Sequence, residues 1–112
     1  MNDSRTLATA AFVLLLIALP LSAQCQQTVE VVIQNYRFEP KLVHIKVGDT
    51  VKWINKEKRT SHSVVFSAEQ KVESERFFPD ESWQRRFTVS GRFPYHCGPH
   101  PEMTGVVEVG GS

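Results

Sequence analysis

From Val29 onward, apolar residues recur at every second position in short runs, and no stretch of residues 24–112 carries a long helical period. A period of two is the strand period, so this pattern confines the fold to an all-β architecture. Val29, Val31 and Ile33 share one face, as do Val43, Ile45 and Val47. Gly48-Asp49 supplies a turn before Val51 and Trp53, and His62, Val64 and Phe66 form another inward set. Trp83, Phe87 and Val89 stand at even spacing, with Arg85 a polar exception on the same face. Phe93, Tyr95 and Cys97 alternate, and Val107 and Val109 close the series. Ser67 to Pro79 is mostly polar and irregular, with room for one short helical turn. The runs amount to six or seven short strands, enough for a sandwich or a small barrel. Trp53, Trp83 and Phe93 read as core, with an electron path as a second use of such rings.

The first 23 residues read differently. Thr6 to Ala23 contains no charged residue, Pro20 breaks the apolar run, and Leu21-Ser22-Ala23 offers a small residue for cleavage. This is the pattern of a signal peptide over 1–23, leaving a domain over 24–112 exported to the bacterial periplasm. A retained membrane anchor is the alternative reading of the same run. Cys25 adds another, tethering through lipid, although Gln24 stands where a lipobox wants a small residue. A Cys25–Cys97 disulfide is also conceivable, but it would tie a terminal residue to a cluster of metal ligands.

Thirteen Lys+Arg against twelve Asp+Glu leave a formal charge of +1, without the basic excess of a nucleic-acid binder. At 112 residues the chain holds one small domain, whose limited core calls for a supplement such as a bound metal.

The segment Tyr95-His96-Cys97-Gly98-Pro99-His100-Pro101-Glu102-Met103 sets a thiolate, an imidazole and a thioether at spacings of three, on a loop stiffened by two prolines. A soft thiolate with imidazoles and a weak methionine is the ligand set of a blue copper electron-transfer site. His62 has the inward parity of Val64 and Phe66 and can supply the second imidazole. Alone, each residue has a plain explanation: a buried cysteine, a core histidine, an exposed loop histidine, a methionine filling the core. His96 and His44 take the opposite parity and read as structural or surface residues.

Here the chain resembles the cupredoxins, the small blue copper proteins, of the amicyanin and pseudoazurin type. The resemblance rests on Phe38-x-Pro40, the run Ile45 to Asn55, His62, and Tyr95-His96-Cys97 through Met103. It implies a Greek-key β-sandwich of about seven to eight strands. It further implies one copper ion, with His62, Cys97 and His100 in a trigonal plane and Met103 as the long axial ligand. Many such relatives carry Asn after the first histidine, where its side chain ties the two ligand loops together; this chain has Ser63, which puts the rigidity of that tie in question. Pro99 offers no backbone N–H to the Cys97 sulfur, which predicts a sulfur richer in electrons than one with two donors, and so a lower potential.

No serine–histidine–carboxylate set, phosphate-binding glycine loop or second histidine cluster accompanies this segment, so the expectation is a carrier and not an enzyme. Its partners would be transient redox proteins, a dehydrogenase or cytochrome as donor and a cytochrome or oxidase as acceptor. No nucleic acid or small-molecule substrate is expected, and the domain is read as a monomer. The competing class is a copper delivery or storage protein without a redox circuit, although only Met103 accompanies the initiator methionine. Structural zinc is a third, but zinc prefers four firm ligands.

Overall fold

The computed structural model describes residues 10, 11, 13, 14, 25–70 and 72–111. The proposed signal segment 1–23 lies outside them apart from those four positions. Among the described residues no helix is long and apolar enough to cross a membrane.

Among the described residues, eight strands form two four-stranded sheets. In the first, β1 (Thr28–Gln34) lies between β2 (Arg37–Glu39) and β4 (Thr50–Asn55), and β6 (Ser82–Arg86) follows β4. In the second the order is β3 (Leu42–Lys46), β8 (Thr104–Gly110), β7 (Gly91–His96), β5 (Val65–Phe66). The sandwich expected from alternation is present. Both sheets are mixed, because β1 pairs parallel with β4 and β3 parallel with β8. Strand periodicity carries no information on that polarity.

Register aligns the inward positions so that the two sheets share one core. Val31 is opposite Trp53 and Trp53 opposite Trp83 in the first sheet; Val43 is opposite Val107 and Tyr95 opposite Gly105 in the second. Trp53, fully buried, is the hub. Its ring meets Tyr95 edge-on at 5.3 Å and 85° and leans on Trp83 at 5.4 Å. Such pairings add to the large apolar area each ring removes from water. Gly105 is dictated by this packing, since a Cβ there would lie 2.3 Å from the Tyr95 ring and hydroxyl. Burial pushes the Tyr95 phenol up to about 12, partly offset by the neighbouring Trp53 indole. Neither polar atom makes a hydrogen bond of normal geometry.

Two expectations change. Val89 is exposed, because β6 ends at Arg86 and the alternation beyond Phe87 no longer faces the core. Among the described residues, Ser67 to Pro79 forms no helix beyond a single turn closed by Glu69 N–H to Phe66 O (3.2 Å), and the segment then bridges back at Glu73 to Val65 and at Phe77 to His62. The inward run from His62 to Phe66 is a strand only at Val65–Phe66. Arg85 keeps its inward parity at the sheet edge: it forms a two-pronged ion pair with Glu69 (2.8 and 3.0 Å) and lays its guanidinium 4.4 Å from the Phe66 ring centre. Pairing and stacking together let a charge occupy a half-buried position.

Candidate metal centre

At the end of β7 the alternation Phe93, Tyr95 carries one step further and turns Cys97 inward, with no exposed surface. The chain then reverses through Gly98-Pro99-His100-Pro101. Met103 N–H donates to His100 O (2.9 Å) and Cys97 N–H to Met103 O (3.0 Å), which closes the loop before β8. The two prolines limit the loop's other conformations, so the spacing of three becomes a fixed geometry.

His62 arrives from the other side. Its backbone is clamped by paired hydrogen bonds with Phe77, N–H to O at 3.1 Å and O to N–H at 3.0 Å. Its ring is completely buried. Both imidazoles turn Nδ1 to the sulfur, His62 at 3.4 Å and His100 at 3.6 Å from Cys97 Sγ. The three donor atoms lie within 4.8 Å of one another. Ligands about 2.0–2.3 Å from a common metal ion stand about 3–4 Å apart, so the spacing suits one ion. Met103 is buried in the same loop, and His100 is half-buried, the most accessible of the three clustered residues.

The electrostatics fit that chemistry. Burial pushes the Cys97 thiol up, partly countered by the backbone N–H groups of Ser63 and His100. Burial holds His62 down, partly countered by the Glu57 carboxylate. Without a metal the pair is therefore disposed to be neutral, a thiol beside a neutral imidazole. A cation reverses the preference at the sulfur, releasing its proton as the thiolate forms.

Ser63 does join the loops, accepting the Gly98 N–H at its Oγ (3.0 Å) from a position 1% exposed. A Cβ on Gly98 would stand 2.6 Å from that oxygen, so the glycine is what lets the shorter serine reach. Pro99 has no N–H to donate to the sulfur, and the side-chain groups nearest Cys97 Sγ are the two histidine Nδ1 atoms.

Three further residues frame the site without having been singled out by their sequence. Asn55, fully buried, donates from Nδ2 to Thr60 O (2.7 Å) and Phe77 O (3.1 Å) and accepts the Glu57 N–H (2.9 Å). Its inward parity with Val51 and Trp53 was the available clue. Glu57 sets Oε1 3.6 Å from His62 Nε2 and also accepts the Tyr36 N–H. Tyr36 sits in the two-residue turn between β1 and β2, where Asn35 and Tyr36 have φ of 53° and 56°. Such a turn matches strand twist, but a bulky residue at positive φ is unusual. The Glu57 contact and a hydrogen bond between the phenol and Thr60 Oγ1 (3.1 Å) hold it there. Its ring meets His100 edge-on at 5.1 Å and His62 at 5.9 Å.

The other histidines stay outside, as their parity predicts. His96 shares a hydrogen bond with Ser67 Oγ (3.1 Å), and exposed His44 contacts Glu108 (3.1 Å). Cys25 and Cys97 are both free thiols, Cys25 exposed, so the bridge between them is not formed.

Comparison with known proteins agrees with the site. Residues 24–110 match the family described as copper binding proteins, plastocyanin/azurin family. Amicyanin of Paracoccus denitrificans is 38% identical over 81 residues, 69% of this chain and 61% of that protein. Plastocyanin of Scenedesmus fuscus is 33% identical over 73 residues, 56% of this chain and 74% of that protein. The chain thus spans less than two thirds of the first relative's length. A solved structure of the reduced Cu(I) form of an amicyanin mutant at pH 4 is 34% identical, with a TM-score of 0.70, covering 74% of this chain and 82% of that one.

Proposed function

The chain belongs to the plastocyanin/azurin family of copper-binding proteins, a cupredoxin, and from that premise we propose that it is a blue copper carrier passing single electrons between redox proteins. Copper is the cofactor, and His62, Cys97 and His100 are the residues that would hold it, with Met103 as the weak fourth ligand. The observation that carries the reading is the pair of Nδ1 atoms 3.4 and 3.6 Å from one buried sulfur. Bound copper supplies a one-electron Cu(I)/Cu(II) couple.

The chain's own contribution is to keep the ligands still. The Phe77 clamp on His62, the Ser63–Gly98 tie and the closed Cys97–Met103 loop resist the rearrangement that a change of oxidation state would otherwise demand. Burial of Cys97 and His62 keeps water from the sulfur, and the half-buried His100 ring offers the short route to the surface. A dehydrogenase or cytochrome would serve as donor and a cytochrome or oxidase as acceptor, meeting a monomer in brief encounters. Export to the periplasm follows from the uncharged run Thr6 to Ala23, with tethering through Cys25 as a variant of the same location. Delivery or storage without a redox circuit is not favoured, since a clamped site suits repeated electron exchange better than metal release.

The test is the visible spectrum after Cu(II) loading, with Cys97→Ser as control. The expected result is an intense blue thiolate-to-copper band that reductant bleaches reversibly and the variant lacks. A pale complex, or no uptake of copper, would overturn the proposal.

A further inference from the structure

Tyr36, half-exposed above the two histidines, separates two grooves. One is lined by Lys56, Lys58 and Arg59 together with Glu57, the other by Arg37 and Lys41 opposed by Glu39 and Glu102. The second is balanced and the first is not. Its one carboxylate is turned inward to the Tyr36 N–H and His62. Lys56 has Asp80 at 3.3 Å, whereas exposed Lys58 and Arg59 make no ion pair among the described residues. Exposed Arg76, hydrogen-bonded to Ser61 Oγ (3.2 Å), extends the same surface. The groove itself holds three cations and one carboxylate. Two cations without a carboxylate partner among the described residues, Lys58 and Arg59, thus stand on the loop beside the candidate copper ligands.

The loop carrying these charges is also fixed. Asn55 binds it at Glu57 and Thr60, and Thr60 in turn holds the Tyr36 hydroxyl. Side chains on a preorganised loop lose less freedom on binding. A cationic rim beside an aromatic ring and the Pro99–Pro101 turn has the arrangement of a protein interface, polar outside and apolar at the centre. So few cations would hold a membrane surface only weakly, at about 1 kcal/mol each.

We propose that the Lys56–Arg59 loop is a docking surface for an acidic face of a redox partner protein, steering it to the His100 edge; the partner's role as electron donor or acceptor rests on the carrier reading above. Complementary fields raise the encounter rate and orient the pair, and salt weakens them.

The test separates docking from electron exchange. Isotope-labelled protein loaded with redox-inert zinc is titrated, by NMR, with a strongly acidic and with a basic monohaem cytochrome. Salt is varied from about 10 to 200 mM, over which the Debye length falls from about 30 Å to under 10 Å. Saturable shifts centred on Tyr36, Lys58 and Arg59 are expected with the acidic protein alone. High salt and the pair Lys58→Glu with Arg59→Glu should each weaken binding about tenfold or more, and the milder Lys58→Gln with Arg59→Gln should fall between. Equal binding of both cytochromes, a salt-independent affinity, or shifts elsewhere would overturn the proposal. So would shifts at this loop with phosphatidylglycerol vesicles but not with the acidic cytochrome. If the copper-loaded protein exchanges no electron with hexacyanoferrate, the carrier reading fails while the zinc titration still decides the docking.

Discussion

Replacing Asn55 by alanine should cost this domain a large share of its stability and loosen the loop that frames His62. The side chain is fully buried and makes three hydrogen bonds: from Nδ2 to Thr60 O and to Phe77 O, and at Oδ1 from the Glu57 N–H. Phe77 O keeps a partner afterwards, because it also accepts the His62 N–H. Thr60 O and the Glu57 N–H, both in half-buried residues, lose their partner. A net loss of about 1 kcal/mol per bond, with a further penalty for each stranded group that water does not reach, gives about 2–4 kcal/mol. Small domains hold about 0.05–0.15 kcal/mol per residue, so for residues 24–112 this is a substantial fraction of the whole. At about 4–8 °C per kcal/mol, a loss of 3 kcal/mol lowers Tm by about 12–24 °C. Guanidinium unfolding of the metal-free protein measures it directly, as a lower midpoint at unchanged slope. Zinc affinity should fall in parallel, because part of the binding energy must then order the loop. A loss below about 1 kcal/mol would refute the claim that these three bonds hold the loop in place.

Gly105→Ala drives a methyl group to within 2.3 Å of the Tyr95 ring and hydroxyl, so overpacking should cost about 1–3 kcal/mol or more; pairing it with Tyr95→Ala, which empties that space, should make the two losses less than additive in a double-mutant cycle. Asp49 accepts the Gln27 and Lys46 N–H groups at its two oxygens, and these, Gln27 foremost, lower its carboxyl below the ordinary value. Its stabilisation is therefore complete above the ordinary carboxylate range and lost as pH falls below about 4; urea midpoints measured against pH should show an acid slope that Asp49→Asn reduces. Glu57→Gln removes the charge 3.6 Å from His62 Nε2, and the poorer ligand should bind metal about 10-fold or more weakly and raise the copper potential in voltammetry, an unchanged potential arguing against any influence of the carboxylate on the site.

Much of this protein was legible before any coordinates. Alternation at period two is a local property, written in neighbouring residues, so it revealed the strands and the inward faces, Cys97 and His62 included. Proline and glycine act on the backbone where they stand, so the short loop from Cys97 to Met103 also announced itself. Cys97, His100 and Met103 were picked out by chemical softness and a spacing of three, whereas the full set with His62 was implied by the resemblance to the cupredoxins.

What the sequence could not reveal depends on approach across long separations. The parallel pairing of β1 with β4 and of β3 with β8 follows from how two sheets share one core, and either polarity has the same alternation. Ser63 meets Gly98 across 35 positions, a join between two ligand loops that no local pattern announces. Tyr36 reads as an ordinary turn residue until folding sets its ring against both histidines. Glu57, Lys58 and Arg59 are consecutive, yet the first turns inward to His62 while the next two remain exposed, without ion pairs among the described residues. The sequence by itself determined the strand set and the donor chemistry, because those reside in single residues and their near neighbours. Only the tertiary structure decided which groups surround the donors and where charge collects, because those are distances between segments that no local pattern encodes.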